Sequence, residues 1–562
     1  VIGRLVPTPW YDATVSFHTY SLPVAQEEAV VSDTVDYIVV GGGSSGCVVA
    51  SRLSESPEVS VALIEAGGAG DDWMINTPAA LFLMVGSRIH NWSFNTTPQR
   101  GLADRIGYQP RGKALGGSSA INAMCYIRGN RLDYDEWAAL GNDGWSYADV
   151  LPYFKRAEDN NQFLDEYHGQ GGPLSVSKLQ SHNPVMDIYL QAAREAGYPI
   201  CNDFNGREQE GLGLYQVTQK NGERCSSARA YIHSVSSKRR NLRVEIHALA
   251  TRIIFEGKRA VGVEFRQENQ TRVYRARREV ILSAGVFQTP QLLKLSGVGP
   301  GEEIRQHGIA VIHELPGVGE NLHDHPDFVF GYSSDHPDLY GVSWQEAPWI
   351  LSAVREYAQF HRGPLASNFA EGGGFLKTRP DLAAPDIQLH FGPVLIDDHG
   401  RKFHWGTGFS CHCAYLVPKS RGSVRLKSKE PQEAPEIDLN FLGEPEDLDG
   451  MVAGFKLTQR LMDSPALKAI RKQDLFTQNV HTDEDIRRVL RERVDTVYHP
   501  VGTCKMGIND ALAVVDPRLR VYGLEALRIV DASVMPKVVR GNTNAPAIMI
   551  GERAADLIAT EH

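Results

Sequence analysis

The tightest constraint on this chain is six residues long. Gly41-Gly42-Gly43-Ser44-Ser45-Gly46 follows the apolar run Tyr37-Ile38-Val39-Val40 and leads into Cys47 to Leu53, whose apolar residues recur at helical spacing. A short unbroken apolar run is what a strand buried on both faces of a parallel sheet shows. The segment therefore reads as strand, tight turn, helix. Gly41, Gly43 and Gly46 are spaced G-x-G-x-x-G. The first glycine permits the turn, the second lets the backbone approach a pyrophosphate, and the third lets helix and strand pack closely; the helix N-terminus attracts the anion. A second apolar run, Val59 to Ile64, ends at Glu65-Ala66-Gly67. Glu65, 24 positions after Gly41, is placed to accept hydrogen bonds from ribose hydroxyls, which selects an adenosine diphosphate moiety without a 2′-phosphate. Gly42 to Gly46 also satisfies G-x-S-x-G, the nucleophile elbow of hydrolases. That elbow normally follows several strands, whereas this turn follows the first and a hydrolase leaves Glu65 without a role. A hydrolase is the distant alternative.

The βαβ start implies a doubly wound α/β sheet. Further strand-like runs come only much later, at Leu242-Ile246, Ile253-Phe255, Ala260-Phe265, Val280-Leu282 and Leu527-Val530. The cofactor domain is thus expected to be discontinuous, over 34–155, 215–320 and 486–562. The composition shifts between about 321 and 485 to Trp, His and Pro mixed with alternating apolar residues, and that stretch with 156–214 is expected to form a substrate domain. Residues 1–33 lack the basic start and apolar block of a secretory signal and read as a loosely attached extension without a functional role.

With 562 residues, 58 Lys+Arg and 68 Asp+Glu, the net charge is −10. That balance argues against nucleic acid as the main partner, which needs clustered cations. No apolar run approaches the ~18 residues of a membrane span; the longest, Ala79 to Val85, reads as core or lid. Seven scattered cysteines, an odd number, read as reduced thiols of a cytoplasmic-type compartment. Cys411-His412-Cys413 alternates, so on a strand the two thiols share a face opposite His412, and no second ligand pair follows at zinc spacing. No metal site is expected.

Four more segments complete the pattern. They are Arg111 to Asn122 (RGKALGGSSAIN), Gly285 to Gly299 (GVFQTPQLLKLSGVG), Tyr498-His499-Pro500-Val501-Gly502, and Asp531-Ala532-Ser533 to Gly541-Asn542-Thr543-Asn544-Ala545-Pro546. Together with the first turn, in this order, they resemble the glucose–methanol–choline (GMC) family of flavin-dependent oxidoreductases over about residues 34 to 560. The Gly285 to Gly299 segment departs at Val286, where a small residue is usual. Within the family the chain is most similar to the bacterial branch of choline dehydrogenases and the alkane-pathway alcohol dehydrogenase. Gln216 to Gly222, Asp398 to Lys402 and Pro418 to Gly422 lean toward the second.

The resemblance implies an α/β protein, α+β overall, with a discontinuous Rossmann-like FAD domain and a second domain on an antiparallel sheet. It implies oxidation of a primary alcohol to the aldehyde by hydride transfer to flavin N5, with His499 as base and Asn542 as its partner. The implied FAD contacts are Gly41, Gly43, Ser44, Ser45, Gly46, Glu65, Ala66, Trp92, Arg111, Gly112, Leu115, Gly116, Gly117, Ser118, Asn122, Ala123, Ala250, Asp531, Ala532, Asn542, Asn544 and Pro546. Relatives that attach FAD covalently do so through a histidine where this chain has Ile121, so FAD is expected to be non-covalent. His323-Asp324-His325 matches a domain-crossing loop and reads as structural. Choline-oxidising relatives hold the trimethylammonium with an acidic side chain and aromatic faces; Asp327 matches the acidic position, one carbon shorter, with Trp92, Trp344 and Tyr498 as aromatic candidates. The expected substrate is an aliphatic or aryl primary alcohol, with choline as the alternative. The expected acceptor is a quinone or other carrier, with O₂ as the alternative, in a cytoplasmic protein with at most peripheral contact with the inner membrane.

Overall fold

The computed structural model describes residues 30–342, 347–402 and 404–561. A seven-stranded sheet forms the first layer: β1 (Val30–Val40), β2 (Val61–Ile64), β3 (Leu242–Glu245), β4 (Ala248–Glu256), β5 (Arg259–Gln267), β6 (Gln270–Leu282) and β7 (Leu527–Ile529). Its order is β3-β2-β1-β6-β5-β4, with β7 also on β6. The pairs β3–β2, β2–β1, β1–β6 and β6–β7 are parallel, whereas β4, β5 and β6 form an antiparallel meander. The 13-residue β6 serves both arrangements: residues 270–275 pair with β5 and Val280–Leu282 with β7. Only residues 30–33 of the expected N-terminal extension are described, and they already belong to β1, pairing from Val30↔Arg272 onward. Residues 1–29 lie outside the described residues.

Register brings the site to one level. Val40 lies opposite both Ile64 and Leu282, so Gly41, Glu65 and Ser283 leave the sheet side by side at the carboxyl ends of parallel strands. That edge is where open α/β sheets bind ligands. The helix α1 (Ser44–Leu53) follows the turn, and all its residues except Ser44 and Arg52 are buried. Its cover is the C-terminal helix Asn544–Ala559; at their crossing a Cβ on Gly551 would stand 2.9 Å from both the Ser45 carbonyl oxygen and Val48 Cβ. Arg52 and Arg156 clamp the same contact by sharing the buried Glu552 carboxylate, at 2.8 and 2.7 Å.

The second layer is an eight-stranded antiparallel sheet whose main strands are Pro326–Ser334, Gly406–Tyr415, Ile387–Gly392, Gly372–Leu376 and Gly211–Leu214. Side chains alternate between faces along a strand. Phe328, Phe330, Tyr332, Ile387, Leu389, Phe391, Phe409, Cys411 and Cys413 all join the second core, beneath the helix Pro445–Met462, where a Cβ on Gly454 would meet Ile387 Cδ1 at 2.4 Å and Cys413 Sγ at 3.0 Å. The alternate positions, Asp327, Gln388, His390 and His412, take the opposite face. All seven cysteines are free and buried.

Segment 156–214 contributes to both cores: Leu174 and Val176 pack in the first, Val185, Met186 and Tyr189 in the second. Ile486, Val489 and Val494 also sit in the second core, and the chain rejoins the first at Val501. Overpacking a tight helix crossing costs about 1–3 kcal/mol. Gly551→Leu is therefore expected to lower the urea midpoint followed by far-ultraviolet circular dichroism; an unchanged midpoint would show that the two helices do not rely on this contact.

Candidate active site

The glycine turn is built by close backbone approach. Gly41 has φ +98°, and a Cβ there would stand 2.4 Å from the Ser283 carbonyl oxygen; one on Gly46 would stand 1.9 Å from the Gly41 carbonyl oxygen. The second glycine segment presses directly on the first: a Cβ on Gly117 would meet Gly43 Cα at 2.7 Å, and the Gly116 N–H donates to the Gly42 carbonyl at 2.7 Å. By contrast, a Cβ on Gly43 has nothing nearer than 3.8 Å, so this glycine faces open space. The N-terminus of α1 at Gly43 has no side-chain cap and no acidic residue in its first turn. Its backbone donors are left for an anion, as a pyrophosphate cradle requires.

Glu65 is buried and accepts from the Gly42 N–H at 2.9 Å and the Gly67 N–H at 2.7 Å, one on each oxygen. Burial pushes its carboxyl up to about 7 against those hydrogen bonds. Each oxygen keeps a second lone pair for a ribose hydroxyl. On the far side, the buried Asp531 accepts from the Gly285 N–H at 2.9 Å, Thr289 Oγ1 at 2.6 Å and the Ser533 N–H at 2.8 Å. Ser44 Oγ donates to Asn544 Oδ1 at 2.8 Å and ties the starts of the two packed helices together.

One large cavity runs from this cradle to the antiparallel sheet. Of the cofactor contacts expected from sequence, it is lined by all but Gly46, Leu115, Gly116 and Pro546. Those four stand behind the wall for packing reasons. Gly46 packs on Gly41, Leu115 covers Gly42, Gly116 bonds Gly42, and Pro546 is buried in the first turn of the C-terminal helix.

At the other end stands His499, buried, with its N–H donated to Asp324 Oδ1 at 2.9 Å. The other carboxylate oxygen takes Thr496 Oγ1 at 2.5 Å. Asn542 Oδ1 accepts from Gln388 Nε2 at 2.9 Å, which turns the Asn542 amide nitrogen toward His499 Nε2 at 3.1 Å. An amide nitrogen only donates, so these bonds assign the lone pair to Nε2 and the proton to Nδ1, with His325 Nδ1 as acceptor at 3.1 Å. Burial, then the neighbouring His325, His390 and Arg111, hold His499 well below the usual histidine range. Burial brings His325 and His390 down to about 3. Arg111, brought down to about 10 by burial, donates to the Tyr498 carbonyl at 3.1 Å. Tyr498 has φ +75°, and its hydroxyl lies 2.6 Å from His399 Nδ1, whose other nitrogen faces Asp495 Oδ2 at 3.3 Å.

Asp327 departs from expectation. It does not line the cavity; His412 does, with Nδ1 2.5 Å from Asp327 Oδ2. Trp344 lies outside the described residues, whereas Trp92 and Tyr498 line the wall. Sequence reasoning missed Gln388, His390 and His399 and read Asp324 and His325 as merely structural. The period-2 alternation of Ile387-Gln388-Leu389-His390-Phe391 was the available signal for the sheet residues.

The amino-terminal GMC oxidoreductase family profile matches residues 35–327 and the carboxyl-terminal one residues 418–551. The chain belongs to the GMC oxidoreductase family. It is 46% identical over 527 residues, 93% of this chain and 95% of the relative, to an alcohol dehydrogenase [acceptor] of Pseudomonas putida. It is 42% identical over 532 residues, 93% and 94%, to oxygen-dependent choline dehydrogenase 1 of Chromohalobacter salexigens. Among solved structures it is similar to an Aspergillus oryzae formate oxidase studied for FAD modification, with TM-score 0.88 and 28% identity over 95% of this chain and 99% of that one. This chain is accordingly an FAD oxidoreductase with a Rossmann-type domain and a sheet-based second domain, and the uncapped helix start, open Gly43 and buried Glu65 fit that cofactor.

A free glutamate ionises above about 4.5, so the unfolded chain releases this proton before the folded one, and folding stability attributable to Glu65 falls as pH rises toward about 7. In flavin-free protein, Glu65→Gln is expected to gain on the parent between pH 4.5 and 7, by at most about 1.4 kcal/mol per pH unit. Urea midpoints at pH 5 and 7.5 test this; a pH-independent difference would contradict it.

Proposed function

We propose that this enzyme oxidises a neutral aliphatic or aryl primary alcohol to the aldehyde, with His499 as the base, Asn542 as the group that orients the substrate oxygen, and FAD held non-covalently. The observation that carries the reading is the His499–Asn542 pair, 3.1 Å apart in the cavity wall, while the carboxylate that a cationic alcohol needs is bonded to His412 behind that wall. FAD, when bound, supplies the two-electron acceptor for the carbinol hydride.

The chain's own residues do the rest. His499 is neutral near pH 7, because its surroundings disfavour the imidazolium. Its Nε2 lone pair, shared with Asn542 in the resting site, takes the alcohol proton once the amide N–H turns to the substrate oxygen. Gln388 holds the amide carbonyl, so that turn is a small one. The Arg111 guanidinium in the same wall favours the negative charge that develops on the oxygen as its proton leaves. Ile121 lines the cavity where a covalent attachment would need a nucleophilic side chain; this supports non-covalent FAD.

The [acceptor] designation of the Pseudomonas putida relative supports a quinone or similar carrier as electron acceptor. Among the described residues no helix is long and apolar enough to cross a membrane. Leu83, Leu351 and Trp405 are exposed by 52%, 72% and 60%, side chains of the kind that a peripheral contact with a membrane surface would use.

Under anaerobic conditions 1-octanol is expected to bleach the flavin band of the purified enzyme and choline to leave it; bleaching by choline alone would move the substrate to the quaternary ammonium class. Air admitted afterwards reports whether O₂ reoxidises it. His499→Ala is expected to lower turnover by at least about 10²-fold while retaining flavin that acid precipitation releases to the supernatant. Near-parental turnover would remove His499 from the role.

A further inference from the structure

The sense of the hydrogen bonds around His499 is set behind the cavity wall, at Tyr215. This tyrosine follows the strand Gly211–Leu214 and is only 2% exposed. Its ring packs beside His390, 5.3 Å between centroids, and a Cβ on Gly373 would stand 2.7 Å from its hydroxyl oxygen. Three groups surround that oxygen: the Leu389 carbonyl at 2.6 Å, the Gly374 N–H at 3.1 Å and Gln388 Nε2 at 3.3 Å. The first two belong to the backbone, so their polarity cannot be reversed. A phenol has one proton, and Tyr215 keeps it, because burial holds the group well above the usual tyrosine range. The Leu389 carbonyl only accepts, so the proton goes there. The oxygen accepts from Gly374 and has only a lone pair left for Gln388.

Gln388 must therefore turn its amide nitrogen toward Tyr215, since its amide oxygen would meet that lone pair. The same nitrogen donates to Asn542 Oδ1 at 2.9 Å, so Asn542 presents its own nitrogen to His499 Nε2. The Gln388 side chain is fully buried, and among the described residues its Oε1 has no hydrogen-bond partner. Buried amides ordinarily satisfy both ends, whereas this one is engaged through its nitrogen alone. We infer that Tyr215 and Gln388 are positioning residues that fix the Asn542 amide and so keep the His499 Nε2 lone pair free of a proton. The inference rests on the alcohol-oxidising reading above. Neither residue lines the cavity; both act through Asn542. An Asn542 amide free to turn over would set its oxygen against Nε2 and stabilise the protonated ring. The other groups that face His499 are His325, His390 and Arg111, with Asp324 on its main-chain N–H, and they are the same in either orientation.

The test is a double-mutant cycle on flavin-loaded enzyme, reading kcat/KM for 1-octanol with a dye acceptor. Gln388→Met, similar in shape and without a donor, is expected to lower kcat/KM about tenfold in the parent and at most about twofold in an Asn542→Ala background. Its deficit in the parent background is expected to grow at least about threefold from about pH 8 to about pH 5.5, because a turned Asn542 favours the protonated base. Tyr215→Phe, which keeps the ring, is expected to lose about threefold with the same dependence on Asn542, and it decides the matter where Gln388→Met does not load flavin. Equal losses in the two backgrounds would assign both residues to packing and overturn the inference. So would a pH-independent deficit, or near-parental kcat/KM in Gln388→Met. A parent that oxidises choline and not 1-octanol overturns the proposed function itself, and the cycle is then read with choline. Oxidation of 1-octanol by the parent with additive losses overturns only the roles of Tyr215 and Gln388.

Discussion

Two glycine-rich segments meet with Gly117 against Gly43, 74 positions apart in sequence, so closely that a side chain on the first would strike the second's backbone. The Gly116 N–H holds them together through the Gly42 carbonyl. From that contact the rest follows geometrically. It sets the turn between β1 and α1, leaves the α1 N-terminus open, and fixes where Arg111 and Ser118 enter the cavity. Glu65 is drawn into the same knot by the Gly42 and Gly67 N–H groups. No side-chain substitution could make this approach, because the limiting contacts are between backbone atoms.

The opposite end of the cavity is organised by burial of uncharged imidazoles. His499, His325 and His390 are brought below the ordinary histidine range mainly because water is absent. Asp324 organises the same corner from the main chain: it accepts the N–H groups of His325 and His499 and the Thr496 hydroxyl. Burial pushes its carboxyl up to about 6 despite these bonds. The corner thus combines an uncharged imidazole at His499, whose Nε2 lone pair faces Asn542, with the Arg111 guanidinium nearby. The proposed proton removal from an alcohol asks for an uncharged imidazole, since a base already protonated at neutral pH could not act.

Much of the fold was legible because the central parallel strands carry continuous apolar runs bounded by turn residues. Tyr37 to Val40 and Val280 to Leu282 are such runs and pair with each other in the sheet, whereas Leu527-Arg528-Ile529, which pairs with the second, is interrupted by Arg528, buried against Glu279. The start of β1 at Val30 was not legible, because backbone pairing continues past the apolar residues into Asp33 and Thr34. The split of 156–214 between two cores was hidden for a related reason: which layer a short strand joins depends on its partner, not on its own composition. In the site, His499 and Asn542 were identifiable from motif and order. Asp324 and His325 were not, since their importance lies in what they touch across more than 170 residues.

The sequence by itself determined the strand–turn–helix around Gly41, Gly43 and Gly46 and the acid at Glu65, because these depend on residue type at fixed local spacing, and its resemblance to the family pointed to His499 and Asn542 as the proposed catalytic pair. Only the tertiary structure decided that Gln388 orients Asn542, that His325 accepts from His499, and that Asp327 faces His412 instead of the cavity. Only the last pair are diagonal neighbours across two strands, set by register; Asn542, His325 and His499 stand outside the named strands, and the path of the connecting chain brings them to the sheet. A shift of one residue would exchange His412 for Cys411 or Cys413 and leave Asp327 facing a thiol.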